Sequence, residues 1–415
     1  MINEIITGLD IGSSAIRIVV GQKDAPDTKL RIVGAAEVPS AGVNKGVITS
    51  IDDASDAISA CLEKAERMVG IPLDQSWVNI SGPNILSQTS KGVVAVAKVD
   101  GEIREEDVER AIEAARTVVS PPNYEILHVI PKTFTVDGQE GIKDPVGMTG
   151  IRLEVDTQII QGLSSQIKNL TKCVYKTGLD IEDLVFSILA TSEAVATARQ
   201  KELGTVVINI GSSTTSLVVF EEGDVVHTAV LPIGGDHITA DIAIGLRISI
   251  DTAERIKVEC GSALPKGFDK KDEINLEEFG AEEGNISLRY VAEIIEARVE
   301  EIFEKIDNEL KKVDRSGLLP AGAILTGGSV KLQGIIEVAK NKLRLPATIG
   351  QASNIMSAID KINDVSFTTA IGLMVWGEQI LSQNKSNNLT RFVSRFKSVN
   401  KATNQIRKWF KNLMP

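Results

Sequence analysis

Two stretches of the chain share one pattern of apolar and polar positions. Ile5-Ile6-Thr7-Gly8-Leu9 leads into Asp10-Ile-Gly-Ser-Ser14 and on through Ala15-Ile-Arg-Ile-Val-Val20, which predicts strand, tight turn, strand. Val206-Val207-Ile208 leads into Asn209-Ile-Gly-Ser-Ser-Thr214 and on through Thr215-Ser-Leu-Val-Val219, which predicts the same. Aligned from Asp10 and Asn209, the segments are identical at six of eleven positions. Their offset of 199 residues marks a duplication at domain scale. In such a turn glycine admits close backbone approach, serines add hydroxyls, and successive N–H groups form a concavity suited to a phosphate. Two copies half a chain apart predict two half-domains facing each other across a nucleotide.

The remaining pattern alternates strands with helices. Asp52 to Val69 has helical spacing, with Asp52 or Asp53 as the expected N-cap. Residues 84–161 read as an insertion: strands at Gly92–Val99, Tyr124–Val136 and Ile151–Gln161, and a helix at Glu105–Val119 stopped by Pro121-Pro122. No catalytic cluster falls there, so an interaction module is expected. A helix at Ser164–Thr177, an apolar run at Ile181–Leu189 and a helix at Ser192–Arg199 precede the second turn. After it, Gly234-Gly235-Asp236-His237 opens a helix, and paired glycines at a helix start suit a phosphate. Glu254 and Lys257, three apart on the next helix, share a face. Val291–Val313 is the longest predicted helix. Ala323-Ile-Leu325 then runs into Thr326-Gly327-Gly328-Ser329, a third strand-to-glycine turn, followed by a helix at Val330–Leu343. A last helix is predicted at Thr369–Leu381 and a polar linker from Asn384.

Composition narrows the class. At 415 residues and 43% hydrophobic, the chain can bury a large core in two to four domains. Cys61, Cys173 and Cys260 are far apart and read as small buried side chains in a reducing compartment. The scattered His128, His227 and His237 predict no metal cage. Neither a signal peptide nor a membrane-spanning apolar run is expected. The net charge of −11 is uneven, because no acidic residue follows Glu378. In the C-terminal segment Ile406, Trp409, Phe410, Leu413 and Met414 stand at helical spacing, with Arg407, Lys408 and Lys411 on other faces. A short basic amphipathic helix after a linker predicts a peripheral anchor on anionic lipid. No nucleic-acid partner is expected.

The two phosphate turns, the Gly-Gly turn and the helix bearing Glu254 and Lys257 together resemble the actin-like ATPase superfamily. Along nearly its whole length the chain resembles the FtsA family of bacterial cell-division proteins. The segments that carry this are Gly8-Leu-Asp-Ile-Gly-Ser13, Ile233-Gly-Gly-Asp-His237 through Leu246, Ala253-Glu-Arg-Ile-Lys257, Leu325-Thr-Gly-Gly-Ser329 and the basic C-terminus. The resemblance implies an α/β, actin-like (ribonuclease-H-like) two-lobe ATPase fold with an inserted α+β subdomain of the 1C or SHS2 type and a C-terminal amphipathic helix. By subdomain, residues 1–83, 162–200 and 368–383 would form 1A and residues 84–161 would form 1C. Residues 201–232 and 303–367 would form 2A, 233–302 would form 2B, 384–402 the linker and 403–415 the membrane helix.

The resemblance also implies ATP and Mg²⁺ as ligands. Asp10, Gly12, Ser13 and Ser14 would hold phosphate and Mg²⁺-bound water, with Gly211, Ser212, Ser213 and Thr214 on the other side. Asn209, Gly234, Gly235 and Asp236 belong to the same expected set. Glu254 and Lys257 would contact ribose and adenine, and Gly327, Gly328 and Ser329 would floor the adenine. Implied partners are further copies in an actin-like filament, the C-terminal tail of the tubulin-like FtsZ near Arg298 and Glu301, anionic lipids, and other division proteins. The implied location is the cytoplasmic face of the inner membrane at the division site. One departure stands out. The superfamily's second turn usually begins Asp-x-Gly-Gly-Gly-Thr, and here Asn209 replaces the carboxylate. ATP is therefore expected as a structural ligand or slow switch, with hydrolysis slow or absent. The alternatives are a pilus-assembly protein of the PilM kind and, further off, a small-molecule kinase of the sugar-kinase superfamily.

Overall fold

The computed structural model describes residues 4–23, 29–96, 100–117, 121–269, 271–280, 284–352, 355–357, 359–385 and 397–398. The first lobe begins with β1 (Glu4–Ile11), β2 (Ala15–Lys23), β3 (Arg31–Pro39), α1 (Ile51–Val69) and β4 (Gln75–Ile80). The insertion follows as β5 (Leu86–Ala95), α2 (Glu105–Arg116), β6 (Tyr124–Val136), β7 (Gln139–Ile142) and β8 (Arg152–Leu163). The chain returns to the first lobe through α3 (Ser164–Lys176), β9 (Asp180–Phe186) and α4 (Ser187–Val195), and leaves it by α5 (Ala198–Leu203). The second lobe holds β10 (Thr205–Ile210), β11 (Thr215–Glu221), β12 (Asp224–Leu231), α6 (Gly235–Leu246), α7 (Ile250–Cys260), α8 (Leu288–Lys311), β13 (Ala323–Thr326), α9 (Ile335–Leu343) and β14 (Ala347–Ile349). Helix α10 (Thr368–Lys385) closes the described fold against β1 and α4.

The duplication read from eleven residues extends to whole sheets. The first lobe's sheet runs β9-β4-β1-β2-β3, with residues 356–357 added beside β3, and the second runs β12-β11-β10-β13-β14. Read from the same end, both place three antiparallel strands beside two parallel ones. The hairpins match in register: Ile11 faces Ile16 and Ile210 faces Thr215. Each turn closes through the same backbone bond, Gly12 N–H to Ala15 O at 3.1 Å and Gly211 N–H to Thr214 O at 2.9 Å. Each lobe has its own apolar core, and the buried valines of the central strands explain the unbroken apolar runs.

The insertion is a separate layer. Helix α2 covers one face of the β6-β8-β5 sheet, around Ile103, Val108, Ile112, Phe134, Leu153 and Val155. Strand β6 touches both lobes. His128 Nε2 accepts the Phe186 N–H at 3.0 Å, and its ring meets Trp376 edge-on at 5.8 Å between centroids. On the same strand the Lys132 ammonium donates to Val226 O of β12 at 3.3 Å, and just past β7 Lys143 is paired with Asp224.

Several expectations shift for local reasons. Helix α1 is capped by Ser50, whose hydroxyl accepts the Asp53 N–H, so Asp52 and Asp53 fill the first turn, where negative charge suits the helix dipole. The run 181–189 is the end of a strand plus the start of a helix. Eight of the nine residues of α4 are buried, so no helical stripe shows in its sequence. Ala196-Thr197 then breaks the chain, and Thr197 caps α5. The helix expected at 330–343 is split, because Gly334 adopts φ 82° against Leu264 and only 335–343 is α-helical. Cys61 and Cys173 are buried as expected, but Cys260 is partly exposed. Residues 384 and 385, expected in the linker, extend α10, and Lys397-Ser398 pairs with His128–Val129 of β6. The rest of the linker and the C-terminal segment, with Ile406, Arg407, Lys408, Trp409, Phe410, Lys411, Leu413 and Met414, lie outside the described residues. Among the described residues no helix is long and apolar enough to cross a membrane.

Candidate functional site

Both glycine-serine turns point into one cleft of about 800 Å³ between the lobes. It is bordered by Asp10, Gly12, Ser13 and Ser14 on one side and by Asn209, Gly211, Ser212, Ser213 and Thr214 on the other. Gly235, Asp236, Glu254, Lys257, Gly327, Gly328 and Ser329 complete the walls among the residues singled out from sequence. Gly234 is the exception and does not border the cleft. Arg298 and Glu301 lie away from it on α8, where the Arg298 guanidinium is paired with Asp241 of α6 and with Glu301.

Asp10 ends β1 and is 7% exposed. Burial raises its carboxyl from 3.8 to about 6, with the Arg17 guanidinium pulling the other way. Asn79, at the end of the neighbouring parallel strand β4, donates to Asp10 Oδ1 at 2.7 Å and accepts the Ile11 N–H at 2.7 Å. The carboxylate is therefore held in one orientation at the mouth of the turn. Ser13 Oγ accepts the Gly46 N–H at 2.9 Å, tying the 40–46 loop to the turn while its own proton can still be donated.

The second turn is held from behind. Gly235 and Asp236, the first residues of α6, donate their N–H groups to Gly211 O at 2.9 Å and Ser212 O at 2.7 Å. Those two N–H groups are occupied within the fold, and the glycine pair lets α6 start directly behind the turn. A Cβ on Gly234 would lie 2.6 Å from Gly211 O and from Ser212 O, and one on Gly235 would run into Ser329 Oγ. Ser213 Oγ donates to Asp236 Oδ2 at 2.6 Å, and Ser329 Oγ to Gly211 O at 2.8 Å. On the far wall Lys257 Nζ donates to Glu254 Oε2 at 2.6 Å and to Thr239 Oγ1 at 2.8 Å, and Thr239 also binds Glu254. The lysine also donates to Gly235 O at 3.3 Å, which ties this wall to the start of α6. Gly328 is exposed, and a Cβ there would meet no protein atom within 4 Å.

Sequence reasoning missed several lining residues. Asn79, Arg17, Ser187, Thr369 and the apolar group Val258, Phe268, Leu288 and Leu332 all border the cleft. Asn79 was legible as a polar residue ending an apolar run. The others come from elements far apart in sequence, and no local spacing announces them. Among the described residues no cluster of three or more His, Cys, Asp or Glu is arranged around a metal. A hard cation here would draw on one carboxylate, water and a ligand's own oxygens.

Two matched lobes, each a sheet packed with helices, with a cleft between glycine-serine hairpins define the actin-like fold. Among solved structures the chain is similar to the PilM–PilN type IV pilus biogenesis complex, with a TM-score of 0.67 and 17% identity over 90% of this chain and 98% of that one. It is also similar to MreB5 of Spiroplasma citri bound to ADP, with a TM-score of 0.54 and 13% identity over 93% and 99%. A family model described as "Cell division protein FtsA" matches residues 206–372, and one described as "SHS2 domain inserted in FTSA" matches residues 82–161. The chain is 37% identical to the cell division protein FtsA of Borreliella burgdorferi over 99% of both chains. It is 34% identical to that of Pseudomonas aeruginosa over 92% of this chain and 91% of the relative, and 38% identical to that of Bacillus subtilis over 90% and 83%. The chain belongs to the FtsA family of cell division proteins.

Proposed function

We propose that this cell division protein binds Mg²⁺-ATP between its lobes, assembles into an actin-like filament and fastens FtsZ to the cytoplasmic face of the inner membrane. The observation that carries the nucleotide reading is the convergence of both duplicated turns on one cleft of about 800 Å³. That volume suits a nucleotide-sized ligand. The triphosphate lies between the Gly12–Ser14 and Gly211–Thr214 backbones. The base and ribose lie toward Glu254, Lys257, Gly327 and Gly328, next to the apolar surface of Val258, Phe268 and Leu332. Asp10 holds Mg²⁺ through water, and the ion neutralises phosphate charge. Hydrolysis is slow, because the second turn offers an amide where a second carboxylate would stand. MreB5, similar in fold, was solved bound to ADP, which supports a nucleotide as the ligand.

The partner surfaces follow from charge and exposure. Arg298 and Glu301 sit on the subdomain 2B side, with Ile244 of α6 and Tyr290 of α8 exposed nearby in the same α6–α8 layer, a mixed surface for the FtsZ tail. Trp409, Phe410, Ile406, Leu413 and Met414 enter the lipid interface, with Arg407, Lys408 and Lys411 on anionic headgroups. The subdomain limits given above are part of the same proposal, as are further division proteins docking on the insertion. Titration calorimetry of the full chain with ATP, with and without Mg²⁺, tests the cleft. Micromolar binding is expected, and an ATP-blind protein would overturn the reading.

A further inference from the structure

The hydrogen bonds around Asn209 have a fixed direction. Thr191 of α4 is fully buried, and its hydroxyl lies 2.8 Å from Ser187 O, which can only accept. The single Thr191 proton is thereby used. Its bond to the Thr369 hydroxyl, at 2.9 Å, must then carry the Thr369 proton. Thr369 Oγ1 is left as acceptor for its next neighbour, and that neighbour is the Asn209 carboxamide N–H at 3.1 Å. The chain runs one way only: Asn209 to Thr369 to Thr191 to Ser187 O. It starts on β10 of the second lobe and ends on α4 of the first, with Thr369 at the start of α10 between them. A parallel link stands beside it. Thr326 pairs with Asn209 across the β10–β13 ladder, and its hydroxyl meets Thr368 at 2.6 Å. Adjacent strand ends of one lobe thus grip consecutive threonines at the floor of the cleft.

A carboxylate at position 209 breaks this order. Ionised, it has only acceptors. Thr369 would have to donate to it, and the Thr369–Thr191 bond would survive only if Thr191 released Ser187 O. One hydrogen bond of this partly buried chain is lost either way. We propose that Asn209 is a positioning residue whose carboxamide heads this chain, fixing the second turn against the first lobe, and that this mechanical tie stands where a metal-facing charge would otherwise be. The proposal deepens the nucleotide reading above and rests on it for the ligand. It accounts for a cleft shaped to hold ATP with its lobes set, and with one carboxylate left to the ion.

The test is a double-mutant cycle on the full chain with Asn209→Asp and Thr369→Val. In the absence of nucleotide each single variant is expected to lower Tm by about 2 °C, and the double variant to fall no further than the worse single, because the chain is broken once. Asn209→Asp is also expected to make ATP affinity about tenfold more dependent on Mg²⁺, through the added charge. That second effect reads the charge at position 209, and the non-additive Tm reads the tie. Additive losses in Tm, or an Asn209→Asp protein with wild-type Tm and wild-type Mg²⁺ dependence, would overturn the tie. If Asn209→Asp does not fold, Asn209→Ala takes its place in the cycle, with the same non-additivity expected. A wild-type protein that bound no ATP would overturn the nucleotide reading alone, since the Tm cycle needs no ligand.

Discussion

At the scale of the residue, Asp10 sets the pH behaviour of the cleft. Its folded pKa of about 6 lies above the unfolded value of 3.8. Its contribution to stability is therefore fully present below pH 3.8 and lost as pH rises through 6, a difference on the order of 3 kcal/mol. Asp10→Asn should thus raise the Tm of the ligand-free protein at pH 7.5, and the gain should shrink by pH 5. The same variant should weaken the Mg²⁺ dependence of ATP binding. Melting curves at the two pH values, paired with calorimetry, separate the effects, and an unchanged Tm at pH 7.5 would show that the buried charge carries no strain. Gly328 gives a cleaner probe of the ligand. With no protein atom within reach of a new Cβ, Gly328→Val should keep the wild-type Tm and lose ATP binding by at least about 100-fold, the effect of a side chain placed in a ligand's space. Normal affinity would move the base elsewhere.

At the scale of the element, the hairpins and the two central helices do different work. The hairpins present backbone to the cleft, and everything behind them is packing. The start of α6 lies so close behind the second turn that a Cβ at 234 would meet the Gly211 and Ser212 carbonyls, which couples the angle of α6 to the shape of the turn. Helices α4 and α10 form the joint between lobes. Valines and isoleucine of the second sheet join the first lobe's core around them, and Gly372 of α10 lies directly against Ala190 O of α4. Gly372→Ala would place a methyl group on that carbonyl. The expected loss is about 1–3 kcal/mol in urea unfolding, with weaker ATP binding as the lobes are pushed apart. A variant that unfolded at the wild-type midpoint would mean that the helices separate freely.

At the scale of the whole molecule, the outward contacts are proposed for the insertion and the C-terminal segment. Strand β6 reaches one lobe through His128 and the other through Lys132, so the insertion touches both. On the proposed reading, one copy of the C-terminal segment should hold lipid reversibly and an assembly should hold it firmly, because linked sites raise effective concentration. Trp409→Glu combined with Phe410→Glu should release the protein from anionic liposomes while ATP affinity stays at the wild-type value. Each large apolar side chain contributes at most about 1.5–3 kcal/mol to insertion. Co-sedimentation equal to wild type would remove the anchor from the proposal.

Local chemistry settled much of this. The repeat at Asp10 and Asn209, the glycine turn at 327–328 and the stripe on α8 are short-range patterns, each imposed by backbone geometry or by burial of one helix face, and these were legible residue by residue. A completely buried helix leaves no stripe, so α4 could not be separated from the strand before it. Nor could spacing say that the Gly235 and Asp236 N–H groups are taken by Gly211 O and Ser212 O, or that Asn79 grips Asp10 from another strand. Most of all, the meaning of asparagine at 209 depends on hydroxyls 160 and 18 positions away, at Thr369 and, before it, Thr191. A hydrogen bond has a direction only when both partners are in place, and only the folded chain brings these together.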